Sequence, residues 1–336
     1  MEYKNSRAST LQLLIAFAAI YLIWGTTYLA MRVAVQTIPP FTVGALRFLV
    51  AGGLTLLFLR LRGAPNPTLR QWKNSALIGC LLMVGGNGLV MWAVQKVPSG
   101  VAALVVATMP LWMTLFDWLF YRGPRPTIRV VFGLGLGFVG IIFLVRPDQV
   151  LAGEFDLHLP SMVALFLAPL FWSIGSLQSR QVDLPKNAFM TTALESLGGG
   201  FVMMMLCIGM NEPSRLDVSG ISIQSILATL YLAFFGSLLA LTSYSWLLKN
   251  VSVARVSTYT FVNPVIAVVL GWLVLNEKVT WQTTVAVILI VFAVVLIVMK
   301  KQIRDPSPEP VQQELGPVAE EPNVDTKKLA EAGARC

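Results

Sequence analysis

The stretch from Val285 to Met299 reads VAVILIVFAVVLIVM, and no polar or charged side chain interrupts it. A soluble helix keeps one polar face, and a strand of a membrane barrel alternates apolar and polar residues. This stretch is apolar on every face, so it predicts a helix surrounded by lipid. Similar stretches recur along the chain, and the short segments between them hold most of the Lys, Arg and Pro residues.

The whole composition agrees with a membrane protein. Of the 336 residues, 56% are apolar and 12% are charged, whereas an ordinary soluble domain has about 25% charged residues. A hydrocarbon core about 30 Å thick needs roughly 20 apolar residues per helix. On that basis we predict ten membrane-spanning helices, at residues 11–33, 41–59, 74–95, 98–121, 127–145, 158–179, 187–210, 226–248, 252–275 and 280–299.

The first hydrophobic stretch is predicted to be a span and not a signal peptide. Lys4 and Arg7 precede it, but it is longer than a signal-peptide core and has no small-residue cleavage pattern. Cys80 and Cys207 lie inside predicted spans and Cys336 is terminal, so their spacing indicates neither a disulfide framework nor a metal site.

Positive residues indicate the orientation in the membrane. With a cytoplasmic amino terminus, fifteen Lys and Arg residues lie in inner segments near the membrane and four in outer loops. Such a bias favours cytoplasmic placement of both termini. The net charge of +8 is therefore explained by membrane sidedness, and no nucleic-acid partner is expected. Residues 1–10 form the predicted cytoplasmic start, and the Pro-rich, acidic segment 300–336 is predicted to be a disordered cytoplasmic tail.

The chain contains an internal repeat. A shift of 148 residues superposes Trp24 on Trp172, Arg32 on Arg180 and Gly52 on Gly200. A shift of 154 residues then superposes later pairs, namely Trp92 with Trp246, Pro110 with Pro264 and Trp118 with Trp272. The matches divide the chain into two halves, residues 11–145 and 158–299, each with five predicted spans.

An odd number of spans in each half makes the second half enter the membrane from the opposite side. The predicted fold is thus an all-α membrane protein of ten transmembrane helices, arranged as two inverted five-helix repeats around a central cavity. Inverted repeats of this kind are common in secondary transporters, which bind solute near the midplane between the halves. A duplicated membrane protein that transports nothing is the alternative.

Six short motifs carry a resemblance to a known family. They are Ile23 to Tyr28 (IWGTTY), Pro39-Pro40, Leu46 to Phe48 (LRF), Gly86 to Gly88 (GNG), Val97 to Gly100 (VPSG) and Val262 to Val265 (VNPV). In order and spacing from about residue 12 to residue 300, the chain resembles the EamA-type transporters of the drug/metabolite transporter superfamily, closest to the YedA-like bacterial members.

The resemblance implies that spans 5 and 10 are peripheral and that the others surround the cavity. It also implies export of amino acids, other metabolites or drugs through the bacterial cytoplasmic membrane. The family often carries a Gly-Glu pair at the ends of the fourth and ninth spans. This chain departs from that pattern, since it has Arg122-Gly123 and Asn276-Glu277 there.

A membrane-embedded enzyme and a non-transporting solute receptor are the rival interpretations. Catalysis of that kind usually needs a His, paired carboxylates or a metal cluster, but the single His158 is predicted in a loop with Glu154 and Asp156. The glycines from Gly133 to Gly137 lie within a span and form no nucleotide-binding loop. We therefore expect no cofactor and no catalytic residue. Transport is expected to use the solute's own gradient or an ion gradient, with protons as the candidate coupling ion.

Three charged residues inside predicted spans are candidates for coupling or gating. A charge in the bilayer costs about 3 kcal/mol on insertion scales, so each needs a reason. Arg47 and Glu195 occupy equivalent positions in spans 2 and 7, and Asp117 lies about one turn from the end of span 4. Alternatively, Arg47 and Glu195 bind helix ends or carbonyls and serve only to stabilise the fold. For Asp117 the alternative is that its side chain extends to the lipid headgroups.

The solute site is predicted among spans 1, 3, 4, 6, 8 and 9. Pro110 and Pro264 each free the carbonyl four residues back, at Val106 and Thr260. The substrate-binding candidates are the polar and aromatic residues at mid-depth together with these prolines: Trp24, Asn87, Trp92, Pro110, Trp172, Tyr244, Tyr259, Asn263 and Pro264. Such walls suit an amino acid or a flat, weakly polar drug, although packing or interfacial roles are the alternative for the aromatic residues.

Overall fold

A computed structural model describes residues 9–121, 123, 125–145, 158–251, 256 and 259–299, and within these ranges the chain is helical with no β-strand. Seven helices are long and apolar enough to cross a membrane. They are α1 (Thr10–Ala34), α2 (Pro40–Leu61), α3 (Leu69–Ala93), α4 (Ser99–Phe120), α6 (Leu159–Gln178), α7 (Ala188–Gly209) and α8 (Ile223–Asn250). The predicted tail 300–336, the segment 1–8, and Glu154 and Asp156 lie outside the described residues.

Three further apolar helices belong to the described part of the chain. They are α5 (Ile128–Val145), α9 (Tyr259–Leu275) and α10 (Trp281–Met299). A short helix, Glu212–Arg215, and a 3-10 turn, Val218–Gly220, lie between α7 and α8.

Two helices begin earlier than the sequence analysis predicted. The third span was placed at 74–95, but α3 begins at Leu69, because Thr68 and Gln71 form a reciprocal capping box ahead of the apolar part. The eighth span was placed at 226–248, whereas α8 begins at Ile223, where the Ser222 side chain accepts from the backbone amide of Ser225. Both helices begin with a turn that contains polar residues, and a prediction based on apolar residues does not include such a turn.

Side-chain and backbone contacts define two faces of the bundle. One face contains the ends of α1, α3, α7 and α9 together with the starts of α2, α4 and α8. Four hydrogen-bonded contacts join them: Arg32–Val94, Glu212–Thr42, Glu277–Ser99 and Ser222–Thr37. We call this the predicted outer face. The start of α3, the ends of α4, α6 and α8 and the α6–α7 connection form the predicted inner face, joined by Asn74–Asp183, Tyr121–Gln178 and Lys249–Pro185.

Helix pairs recur in the two halves of the chain. Helix α1 packs on α8 and α9, and α6 packs in the corresponding way on α3 and α4. Helix α7 packs on α3, as α2 packs on α8, while α2 with α7 and α5 with α10 form pairs across the halves. Each of these pairings maps onto another, or onto itself, when the two halves are exchanged.

The crossing of α2 and α7 depends on two glycines that are repeat mates. A Cβ at Gly52 would lie 3.0 Å from the amide nitrogen of Leu197, and a Cβ at Gly200 would lie 3.0 Å from that of Leu49. Leu49 and Leu197 are themselves related by the shift of 148. The absence of both side chains lets the two backbones approach closely, as small residues do in membrane helix pairs.

The irregular turns also fall at matching positions. Helices α3 and α8 contain π-helical segments at Cys80–Gly88 and Leu232–Ala240, which overlap under the shift of 154. Helix α1 has a π-helical segment at Ala19–Ile23, and Pro169 inside α6 lies 148 residues after Tyr21 of that segment. Such interruptions bend helices and often occur at functional sites.

Large apolar side chains cover much of the outer surface of the bundle. Leu57, Phe132, Phe201 and Ile208 each expose more than half of their surface. An apolar surface of this extent is unfavourable in water and favourable against lipid chains. Together with the long apolar helices, it supports a protein that crosses the membrane several times.

Candidate functional site: a central cavity

A cavity with an enclosed volume of about 60 Å³ lies in the middle of the bundle, with walls from α1, α2, α3, α4, α6, α8 and α9. One face of α1 contributes Trp24, Thr27, Tyr28 and Met31. Their spacing of three, four and seven residues places them on one side of a helix. The IWGTTY motif therefore presents Trp24, Thr27 and Tyr28 to the cavity, while Thr26 bonds the Tyr231 hydroxyl away from it.

Four aromatic rings form one cluster beside the cavity. Trp24 stands edge-on to Trp172, with ring centroids 5.6 Å apart, and its ring centroid is 5.0 Å from those of Tyr244 and Tyr259. The Trp172 indole N–H donates to the Tyr244 hydroxyl over 3.3 Å, and this hydroxyl is 2.8 Å from Ser176 Oγ. The cluster thus joins repeat mates of α1 and α6 with α8 and α9.

Polar groups of the cavity wall hold the irregular turns in place. The Trp24 indole N–H donates to the carbonyl of Gly236 over 3.3 Å, inside the π-helical segment of α8. With the amide of Asn263 oriented so that its nitrogen faces acceptors, it donates to the carbonyls of Tyr21 at 3.0 Å and Tyr259 at 3.1 Å. Asn87 donates to the carbonyl of Leu82 over 3.4 Å. These side chains therefore line the cavity and also bind backbone carbonyls.

Arg47 is the charged residue of the cavity wall. It is 3% exposed, its Nε donates to Ser237 Oγ over 2.8 Å, and its guanidinium carbon lies 4.5 Å from the centre of the Phe48 ring. Its Nη1 has no hydrogen-bond partner among the described residues. The described wall contains no Asp or Glu side chain, so the cation has no protein counter-ion there.

Two vestibules lie on opposite sides of the central cavity. The inner-face vestibule measures about 480 Å³ and is lined by Tyr244, Glu195, Lys249 and Arg180, among others. The outer-face vestibule measures about 280 Å³, and its lining includes Trp92 and Glu212. Tyr244 contacts the aromatic cluster on one side and the inner vestibule on the other. It therefore stands between the cavity and the predicted inner face.

The predicted site residues fall into three groups. Trp24, Asn87, Trp172, Tyr259 and Asn263 line the central cavity. Tyr244 lies behind the wall. The prolines and the remaining tryptophan are not among the described wall residues: Pro110 and Pro264 are buried in α4 and α9, and Trp92 lines the outer vestibule, with its ring 5.9 Å from that of His158.

The three predicted coupling residues lie apart from one another. Arg47 is in the wall of the central cavity, and Glu195 is in the inner vestibule near Lys249. Glu195 is 2% exposed, and its Oε2 has no hydrogen-bond partner among the described residues. Asp117 lies near the end of α4 and lines neither the central cavity nor the inner vestibule. Its backbone carbonyl accepts from the amides of Tyr121 and Gly123.

Sequence reasoning missed part of the wall. It left span 2 out of the predicted solute site, yet Arg47 and Phe48 of the LRF motif line the cavity. It also passed over Thr27, Tyr28 and Met31, although their helical spacing from Trp24 was a usable signal. Met83 and Met109 could not have been predicted in this way, because the sequence does not show whether an apolar residue of a span faces lipid or the interior of the bundle.

Both halves of the chain match the EamA-like transporter family, at residues 11–146 and 159–299. The chain belongs to this family. It is 39% identical to the uncharacterized inner membrane transporter YedA of Escherichia coli K12 over 287 residues, which cover 85% of this chain and 90% of that protein. The likeness to YedA-like members predicted from the motifs is thereby confirmed.

More distant relatives extend to other organisms. Protein PagO of Salmonella typhimurium is 26% identical over 86% of this chain and 93% of its own, and a WAT1-related chloroplastic protein of Arabidopsis thaliana is 26% identical over 76% and 62%. A crystal structure at 22% identity superposes with a TM-score of 0.63, over 88% of this chain and 100% of that chain, which shows the fold alone. Family and fold together support a multi-pass transporter of the bacterial inner membrane.

Proposed function

We propose that this protein is a secondary transporter that exports small metabolites, such as amino acids, or drug-like solutes by alternating access. The observation that carries the proposal is an aromatic cavity inside the bundle with a vestibule on each side. A solute in the cavity would reach either face through one vestibule at a time. A channel would instead need a continuous path between the two faces.

The chemistry of the cavity limits the solute. The enclosed volume of about 60 Å³ leaves room for only a few water molecules, so a small solute would bind here as the walls move apart. Aromatic rings favour a flat or amphipathic body, and Arg47, with no described carboxylate in the wall, favours a solute that is neutral or carries one negative charge. A phosphate ester with several charges would need more Lys or Arg side chains than the wall offers.

Two inverted five-helix repeats would give the required motion. The matched helix pairings and the symmetric crossing of Gly52 and Gly200 support a two-fold relation between the halves. With α5, α9 and α10 counted as spans, the chain has the ten helices that such a repeat requires. Rocking one half against the other around a fixed site then exposes the cavity to alternate faces.

Arg47 and Glu195 are the proposed coupling residues. Each is buried with one polar atom that lacks a described partner, and each lies in a different compartment. A carboxyl group in the inner vestibule can bind a proton from that side, while a guanidinium in the cavity stays charged and binds solute. A salt bridge between them is not part of this proposal.

The solute site is tested by Trp24→Ala, Trp172→Ala and Asn263→Ala in proteoliposomes screened against amino acids and drugs. We expect each variant to fold and to lose solute binding or flux. The matched control is Trp272→Ala, because this tryptophan is 56% exposed on the bundle surface. Flux unchanged in all three variants would place the site elsewhere.

A further inference from the structure

Two glutamates reach from the second half of the chain to helix starts in the first half. Glu212 accepts hydrogen bonds from the backbone amides of Phe41 and Thr42, at 3.1 and 2.7 Å, and from the Thr42 hydroxyl at 2.9 Å. Glu277 accepts from the amide of Ser99 at 2.9 Å, from the Ser99 hydroxyl at 3.0 Å and from the amide of Gly100 at 3.4 Å.

The two arrangements share one local design. Glu212 follows Asn211 and Glu277 follows Asn276, and both asparagines have a positive φ, of 55° and 52°. A left-handed asparagine ends the preceding helix and turns the next residue back across the bundle. At Glu277 the carboxylate also folds over Gly271, where any side chain would occupy its place. We call these two arrangements the Asn-Glu caps.

The helices that receive the caps cannot cap themselves. Helices α2 and α4 both follow a proline, Pro39 and Pro98, and neither proline provides a side-chain hydrogen bond to the helix start. The first amides of a helix have no partner within it and carry a partial positive charge. A carboxylate that accepts from several of them forms charge-assisted hydrogen bonds, which are roughly twice as strong as neutral ones.

The predicted inner face has no corresponding carboxylate at the matching positions. The shift of 148 puts Ala64 opposite Glu212, and the shift of 154 puts Gly123 opposite Glu277. Helix α7, the mate of α2, is capped locally, since Asn187 Oδ1 accepts from the amides of Phe189 and Met190 at 2.9 and 3.4 Å. The inner face does join the halves through a carboxylate, but by an exposed side-chain bond from Gln71 Nε2 to Asp183 Oδ1 at 3.4 Å. Carboxylates that cap a helix start of the other half are therefore found on the outer face at these positions, and the vestibule on the inner face is larger, about 480 against 280 Å³.

We propose that the Asn-Glu caps hold the predicted outer face closed, so that the transporter without solute rests open toward the predicted inner face. The proposal rests on the alternating access proposed above. Opening the outer face separates the two halves there, which removes each carboxylate from its helix start. Glu212 is 4% exposed. If its carboxylate leaves the helix amides before water reaches them, strong hydrogen bonds are lost without replacement.

The test is a distance measurement that needs no solute. Spin labels at Gln95 and Ser214 report on the outer face, and labels at Arg70 and Lys186 report on the inner face, in a background without the native cysteines. All four residues are exposed. We expect Glu212→Gln and Glu277→Gln each to raise the ratio of open to closed outer face about tenfold, and the double variant about a hundredfold, as separate sites add in free energy. The inner pair should close to the same extent.

Asp217→Asn is the matched control on the same face. The Ser219 hydroxyl, with the amides of Gly220 and Ser219, lowers the pKa of Asp217, so this carboxylate is charged at neutral pH but binds only its own turn. The control should leave all distances unchanged. Glu212→Asp and Glu277→Asp, which keep the charge but shorten the side chain, should shift the distances in the same direction as the Gln variants.

Thr42→Val and Ser99→Ala keep the test decisive if the glutamate variants do not fold. Each removes one hydroxyl donor and leaves the backbone amides in place, so a smaller opening of the same outer pair is expected. Distances equal to wild type in all foldable variants, the hydroxyl variants included, would overturn the proposal. If no solute moves in vesicles but the distances shift as expected, the transport proposal fails and the caps stand.

Discussion

At the scale of single residues, the two buried charges differ in their surroundings. Arg47 packs over Phe48 and binds Ser237, whereas Glu195 faces Lys249 across the inner vestibule. A charge buried without a full set of partners costs stability, and a transporter keeps it only where the charge acts. The positions of both charges therefore fit a role in the transport cycle.

We expect Arg47→Gln and Glu195→Gln to be expressed normally and to transport at less than about one-tenth of the wild-type rate. Arg47→Lys should not restore transport, because an ammonium cannot donate to Ser237 and lie over Phe48 in the same geometry. Flux into vesicles from purified protein is the measurement. Wild-type rates for both Gln variants would assign the two charges to folding alone.

At the scale of helices, the crossing of α2 and α7 fixes how closely the halves approach. Gly52 faces the backbone of α7, where a Cβ would lie 2.9 Å from the carbonyl oxygen of Ala193. The neighbouring Gly53 has nothing within 4 Å of a Cβ position. Adjacent glycines of one helix thus provide an internal comparison.

Gly52→Ala should lower the free energy of unfolding by about 1–3 kcal/mol, because the added methyl group pushes on backbone atoms that cannot move independently. Gly53→Ala should leave it unchanged or raise it by up to about 1 kcal/mol through helix propensity. Thermal unfolding in detergent compares the two variants. Equal stability of both would mean that α2 and α7 do not cross at Gly52.

At the scale of the whole molecule, orientation depends on charges at the two faces. On the topology predicted from the sequence, fifteen Lys and Arg residues belong to inner segments and four to outer loops. Three of the inner residues, Arg180, Lys186 and Lys249, line the inner vestibule. The cytoplasmic side of bacterial membranes is where such residues accumulate.

Reporter fusions test this orientation. A fusion after Lys301 should give a cytoplasmic signal, and a fusion within residues 146–154 should give a periplasmic one. Moving the first fusion point upstream, to the connection after Asn250, should leave its signal cytoplasmic. A periplasmic signal after Lys301 would contradict the ten-span topology.

The sequence by itself determined the class of fold, the family and the candidate aromatic residues. Apolar stretches as long as Val285 to Met299 have one stable solution in a bilayer, because a helix satisfies its own backbone hydrogen bonds. The internal repeat is visible in the sequence alone, because Trp24 recurs as Trp172 and Gly52 recurs as Gly200.

Only the tertiary structure decided which side chains meet. It placed Arg47 of α2 in the cavity wall, Trp92 in a vestibule and Glu212 at the start of another helix. The physical reason is that helix rotation and crossing depend on packing between distant segments, while periodicity within a fully apolar span marks no preferred face. Contacts between residues some 170 positions apart, such as Glu212 with Thr42, leave no local trace in the sequence.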